Sequence, residues 1–320
     1  MLMLLSLTLI SAANAQSSIN LDTGLSYINQ QNLQSNQAGN RQGTTSRDRS
    51  GWRLGGRWAW QQLDAGGGYS ATAQASIDQG FAGAGDIRSL ALNGAWMRAL
   101  NANWLTRLNL QLGNYQDDDQ PAYNNQSSGA DLTLGWFGQQ NSGLDINLAW
   151  QQEQYDDDPN AAYNGNRRTV GSRYYFTHQR NQPHWSIAAA VSRFDSPAIA
   201  GYSYDAMRLS LAYNAWHWKK LAGNILFVWH SNTFDETSTS SASLNNGNAM
   251  GGMSSGPGTM PNNTQSRSQQ DTYLTTSLSL RYPLNQQWHL VSNVNAGQYR
   301  SNLAENRPLL NAYLGLSVKY

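Results

Sequence analysis

The sequence predicts an all-β fold, an antiparallel up-and-down β-barrel of about fourteen strands that spans a membrane. Three observations predict it. Apolar and polar residues alternate along most of the chain, aromatic residues collect at one end of the alternating segments, and short turns alternate with long loops between them. Alternation marks a strand with two unlike faces, because successive side chains point to opposite sides.

Composition excludes several other classes. Charged residues are 13% of the chain, against about 25% in a soluble globular domain. Disorder is excluded by 12 Trp and 16 Tyr, since disordered chains are poor in aromatic residues. The absence of cysteine rules out disulfides, thiol chemistry and Cys-based metal sites. A formal net charge of +1 provides no general attraction to nucleic acid, and no nucleic-acid partner is expected.

The chain opens on an apolar run from Leu2 to Ile10, too short for a spanning helix of about 20 residues. Followed by the small-x-small pattern Ala13-Asn14-Ala15, it reads as a signal peptide over 1–15, leaving one barrel domain over 16–320.

Parity then places the strands. Trp52, Leu54, Trp58 and Trp60 fall on one face, with Arg53, Arg57 and Gln61 on the other. Leu108, Leu110 and Leu112 oppose Arg107, Asn109 and Gln111 in the same way. So do Leu144, Ile146, Leu148 and Trp150 against Asp145, Asn147 and Gln151, and Ile225, Phe227 and Trp229 against Asn224 and His230. In order, strands are expected near 18–29, 50–62, 67–78, 88–100, 104–115, 129–138, 143–154, 168–178, 184–194, 205–215, 220–232, 271–282, 287–298 and 308–320. The number is even, as in bacterial single-chain barrels. Tight polar turns such as Asn101-Ala102-Asn103 and Asn141-Ser142-Gly143 follow the even strands; longer loops, the longest near 31–49 and 233–270, follow the odd ones. That is the asymmetry of periplasmic and extracellular ends. The low-complexity stretch from Met250 to Gly258 reads as a solvated loop or as a constriction folded into the lumen.

The aromatics separate a membrane barrel from a soluble sandwich. Trp58, Trp60, Trp96, Trp104, Trp136, Trp185, Tyr213, Tyr282, Trp288 and Tyr320 all lie near the short-turn ends, and Tyr27, Trp52, Trp150 and Trp229 form a sparser opposite belt. Such girdles suit the headgroup level of a bilayer. The polar parity, rich in Asn, Gln, Ser, Thr and Gly, suits a hydrated lumen. Closure follows, since no open sheet edge survives in hydrocarbon.

The last strand carries a resemblance. Leu310, Ala312, Leu314, Leu316, Val318 and Tyr320 alternate up to the terminus, and the tail from Gly315 through Val318 to Tyr320 resembles the C-terminal signal of Gram-negative outer-membrane barrels. The resemblance implies a porin-like class, location in the cell outer membrane, and contact with outer-membrane lipid, lipopolysaccharide and the barrel assembly machinery. A narrower similarity lies in Gln298-Tyr299-Arg300-Ser301-Asn302 leading to Asn306-Arg307, echoed by Trp229-His230-Ser231-Asn232. It resembles the closing hairpin of surface lipoprotein assembly modifiers and implies an export or assembly accessory working with a separate periplasmic partner.

No enzyme is expected. Barrel hydrolases place His and Ser two apart on one face of a strand; His230 and Ser231 are adjacent and must face opposite ways. His178, His184, His217 and His289 have no recognisable Ser partner. No cofactor is expected either, with one exception. Asp117, Asp118 and Asp119 in one loop repeat as Asp156, Asp157 and Asp158 in the next, and carboxylates so gathered suit Ca²⁺ or remain a solvated charge run. The remaining charges fall on the polar parity: Arg53, Arg57, Arg107, Arg173 and Arg208, with Asp22, Asp78, Asp131, Asp145 and Glu153. They either line a pore and tune what passes or pair and brace the barrel. A modest aqueous channel for ions or small hydrophilic solutes is the first expectation; an export accessory and a surface structural or adhesion barrel are the others.

Overall fold

The computed structural model describes residues 15–28, 49–64, 66–119, 121, 124–138, 142–155, 164–176, 183–197, 203–235, 269–302 and 306–320. The expected leader (apart from Ala15), most of the two longest loops and Asp156, Asp157 and Asp158 lie outside the described residues.

Fourteen strands run in chain order: β1 (Ala15–Ile28), β2 (Arg49–Asp64), β3 (Gly67–Gly80), β4 (Ile87–Ala99), β5 (Trp104–Asp117), β6 (Asn125–Phe137) and β7 (Gly143–Tyr155), then β8 (Gly165–Tyr175), β9 (His184–Asp195), β10 (Tyr204–Trp218), β11 (Leu221–Phe234), β12 (Gln270–Pro283), β13 (Trp288–Ser301) and β14 (Arg307–Lys319). Each pairs antiparallel with its neighbours in sequence, and β1 pairs with β14 to close the ring. The expected all-β antiparallel barrel of fourteen strands is the observed fold. Its ends rise beyond the expected limits at β6 and β8, because Gln126-Ser127-Ser128 and Asn166-Arg167 are polar on both faces and carry no alternation.

Register fixes facing, since residues directly opposite in antiparallel strands share a side of the sheet. Leu110 pairs with Gly94 and Ala130, and Leu148 with Leu132 and Val170; these lie on the outer wall and are largely exposed there. An exposed apolar band all round a closed barrel is the surface hydrocarbon requires. All the aromatics expected at the short-turn ends share this outward register, with Trp185 and Tyr213 stacked at 4.7 Å. His230 pairs with Arg208 and faces inward, so Ser231 faces outward and the two do not meet on one face.

The β10–β11 hairpin departs from simple alternation. The register shifts between Tyr213 and Trp216, and Ala215 takes a left-handed φ of 53°. A bulge inserts one extra residue and bends the strand; here the Ala215 N–H donates to Asn224 Oδ1 at 2.8 Å. β10 therefore reaches Trp218 rather than ending near 215.

At the closing seam Gly24 faces Gly315, and a β-carbon at either would lie within 2.4 Å of backbone on the other strand. Tyr313 lays its phenol over Gly315. Gly315→Val is expected to hold the seam open and abolish the compact band in a heat-modifiable gel shift of refolded protein. An unchanged band would contradict this account. Leu314 and Leu316 stay exposed on the outer face, whereas Val318 is buried where it pairs with Leu21 and Trp288.

Candidate functional site

The inner wall is built by the other parity. Ser, Thr, Asn, Gln and Gly recur along it, as in the facing Ser76 and Ser89, whose hydroxyls lie 2.8 Å apart, and Ser277, which donates to Asn295 at 2.8 Å. Arg53, Arg57, Arg107, Arg173, Arg208, Asp131, Asp145 and Glu153 all take inward positions in the ladders. Register then divides them.

Toward the long-loop end the charges are paired. Arg53 stands directly opposite Asp78 and beside Asp22, at 3.9 and 3.8 Å. Tyr313 donates to Asp22 at 3.4 Å and presents its ring to the Arg53 guanidinium. Arg49, buried, donates to the Asp78 carbonyl at 2.6 Å and lies 3.9 Å from Asp119. Across the barrel Arg167 lies 3.1 Å from Glu153, close but not aligned as a hydrogen bond, and donates to the Tyr204 hydroxyl at 2.9 Å. Tyr155 donates to Glu153 at 3.4 Å.

A shelf of aromatic rings lies beside this second group. Phe194, Tyr204 and Phe234 sit on β9, β10 and β11 with ring centroids 5.2 and 5.1 Å apart, all buried. His230, Tyr273 and Tyr299 extend it over β11, β12 and β13 at 5.9 and 5.0 Å. These rings occupy the polar parity, so a rule that sends aromatics to lipid misses them; Arg49 and Arg167 were missed because each lies just before an expected strand.

In the middle and toward the short-turn end the pattern changes. Arg57 faces Asn20 and Gln74 and has no hydrogen bond or ion pair among the described residues. Arg107 faces Met97 and Thr133, and its Nε has no hydrogen-bond partner among the described residues. Arg173 stands opposite Asp145, yet it is Tyr175 that donates to that carboxylate, at 2.8 Å, and among the described residues Arg173 forms no ion pair. Asp131 accepts from Thr133 at 2.8 Å, Asn109 at 2.9 Å and Asn147 at 3.3 Å. Arg208 lies within electrostatic reach of Arg173. Among the described residues Arg57, Arg107 and Arg173 thus form no ion pair with a carboxylate.

The acidic loop behaves as three separate groups. Asp117 is fully buried and accepts from Tyr115 and from the Asp119 N–H, Asp118 pairs with Arg88 at 3.1 Å, and Asp119 turns toward Arg49. Among the described residues no cluster of three metal-type side chains occurs.

No protein-family profile matches the chain, and no curated protein does. Solved structures do resemble it. An anion-selective porin from Comamonas acidovorans is 10% identical, with 96% of this chain and 99% of that one covered and a TM-score of 0.42. A BenF-like porin from Pseudomonas fluorescens Pf-5 is 10% identical, with 96% and 98% covered and a TM-score of 0.44. OprD from Pseudomonas aeruginosa is 11% identical, with 95% of each chain covered and a TM-score of 0.42. By its own closed ladder, its exposed apolar band and its aromatic girdles, the chain is a fourteen-stranded β-barrel of the outer-membrane type.

Proposed function

We propose that the barrel is a porin-like channel in the outer membrane, passing ions and small hydrophilic solutes with a preference for anions. The observation that carries this reading is the set of inward arginines, Arg57, Arg107 and Arg173, that have no carboxylate partner among the described residues, on the polar wall of a closed ring. Charges lining a narrow aqueous path select ions by sign. Fourteen strands exceed the eight whose interior side chains can fill and fall below the sixteen to eighteen of wide general porins; the lumen this leaves is modest.

Reversal potentials across a planar bilayer under a salt gradient test the reading. Arg57→Gln, Arg107→Gln and Arg173→Gln are each expected to shift the potential toward cations while leaving unfolding unchanged within about 1 kcal/mol. Arg53→Gln is expected to differ, because removing it strands Asp78, which is buried, and stability falls as well. Unchanged selectivity in the first three variants would remove the residue-level basis for anion preference.

A further inference from the structure

Two cations converge on the inner wall of β8 to β10. Arg173 on β8 stands opposite Ala188 on β9, and Arg208 on β10 stands opposite Ala190, which in turn faces Gly171 on β8. Two strands and one same-face step separate the arginines, a backbone span of about 12 Å at about 4.8 Å per strand and about 3.4 Å per residue. The two side chains close that span from either side, since they lie within electrostatic reach of each other. Nothing bulky stands between them. Gly171, Ala188 and Ala190 form the floor, and a β-carbon at Gly171 would lie 2.5 Å from Asn147 Oδ1, which keeps that position bare. Arg173 is exposed to the lumen and Arg208 is half-buried.

Like charges so placed repel unless an anion lies between them. The inward carboxylates of β6 and β7 have other engagements. Asp131 accepts from Asn109, Thr133 and Asn147, and Glu153 pairs with Arg167. Asp145 accepts from the Tyr175 hydroxyl at 2.8 Å, and that hydroxyl also reaches Arg173. Tyr175 thus stands between Asp145 and Arg173 and orients the guanidinium without neutralising it. On β11 the residue facing Arg208 is His230, hydrogen-bonded to Asn232. The turn after β8, residues 177–182, contains no Asp or Glu.

The number of oxygens selects the anion. A carboxylate has two, which a single guanidinium fork occupies, whereas a phosphate monoester has at least three acceptor oxygens to share between two forks. We propose that Arg173 and Arg208 form a seat for a phosphoryl group, carried by inorganic phosphate or by the monoester of a small hydrophilic solute. The rest of such a solute lies over Gly171, Ala188 and Ala190, where no side chain obstructs it. The inference rests on the aqueous, anion-preferring lumen of the reading above and names the anion held in this part of it.

Isothermal titration calorimetry of the full-length barrel in detergent tests it, with inorganic phosphate, glycerol phosphate and acetate as probes at constant ionic strength. Saturable binding of one phosphate per barrel is expected, about tenfold tighter than acetate. Whichever of the two phosphates binds more tightly identifies the source of the phosphoryl group. Arg173→Gln and Arg208→Gln should each weaken phosphate binding about tenfold, the loss of one charge-assisted contact. Ala190→Phe keeps both guanidinium groups and fills the floor, so an equal loss there separates a shaped seat from positive charge in general. The heat-modifiable shift verifies that each variant folds; should Arg208→Gln fail to fold, the exposed Arg173 and the floor variant still decide. No saturable phosphate binding, acetate bound as tightly as phosphate, or full affinity in the folded variants would overturn the proposal. Failure of the channel reading shows differently, as absent conductance with phosphate binding intact.

Discussion

Replacing Arg167 with Met is expected to destabilise the barrel by about 3 to 5 kcal/mol, because removing one partner of a buried ion pair strands the other. Glu153 has a side chain only 3% exposed, and Arg167 is its ion-pair partner at 3.1 Å. The same guanidinium holds Tyr204 in the ring stack between Phe194 and Phe234, so its loss also loosens the shelf. Urea titrations of the barrel in lipid vesicles measure the effect. Replacing both partners, Glu153→Gln with Arg167→Met, should recover much of the loss, since no charge is then left unpaired. A single-variant cost below about 1 kcal/mol, the range of exposed pairs, would show that this end of the wall is wet rather than packed.

The second large effect lies on the outer face. Leu110 sits mid-strand on β5, outward and 56% exposed, and Leu110→Arg is expected to cost about 2 to 4 kcal/mol at the bilayer midplane. Asn93 faces the lumen on the adjacent strand. The same substitution there should cost under about 1 kcal/mol, because the arginine stays in water and only one hydrogen bond, to Thr72, is lost. Folding titrations in lipid compare the two directly. A larger cost at Asn93 than at Leu110 would invert the assigned facing.

The strands were legible because their signal is local. Trp58 and Trp60 share a parity that Arg57 and Gln61 do not, and that alone separates wall from lumen. The partnerships were not legible, because they depend on register between strands. Arg53 and Arg57 look alike in sequence, yet one stands opposite Asp78 and the other opposite Gln74. The inward asparagines were expected only as generic lumen polarity, whereas Asn109 and Asn147 both bind Asp131 and Asn224 caps the β10 bulge. Tyr204, Phe234, Tyr273 and Tyr299 escaped because alternation assigns aromatics to lipid unless something buries them inside.

Single-channel recording of the refolded barrel in a planar bilayer tests the central claim most directly. Discrete, reproducible conductance steps are expected from the full chain, with anions carrying more of the current. The result that would contradict the account is silence at every voltage, both for the full chain and for a variant lacking residues 236–268, whose shortened loop leaves β11 and β12 intact.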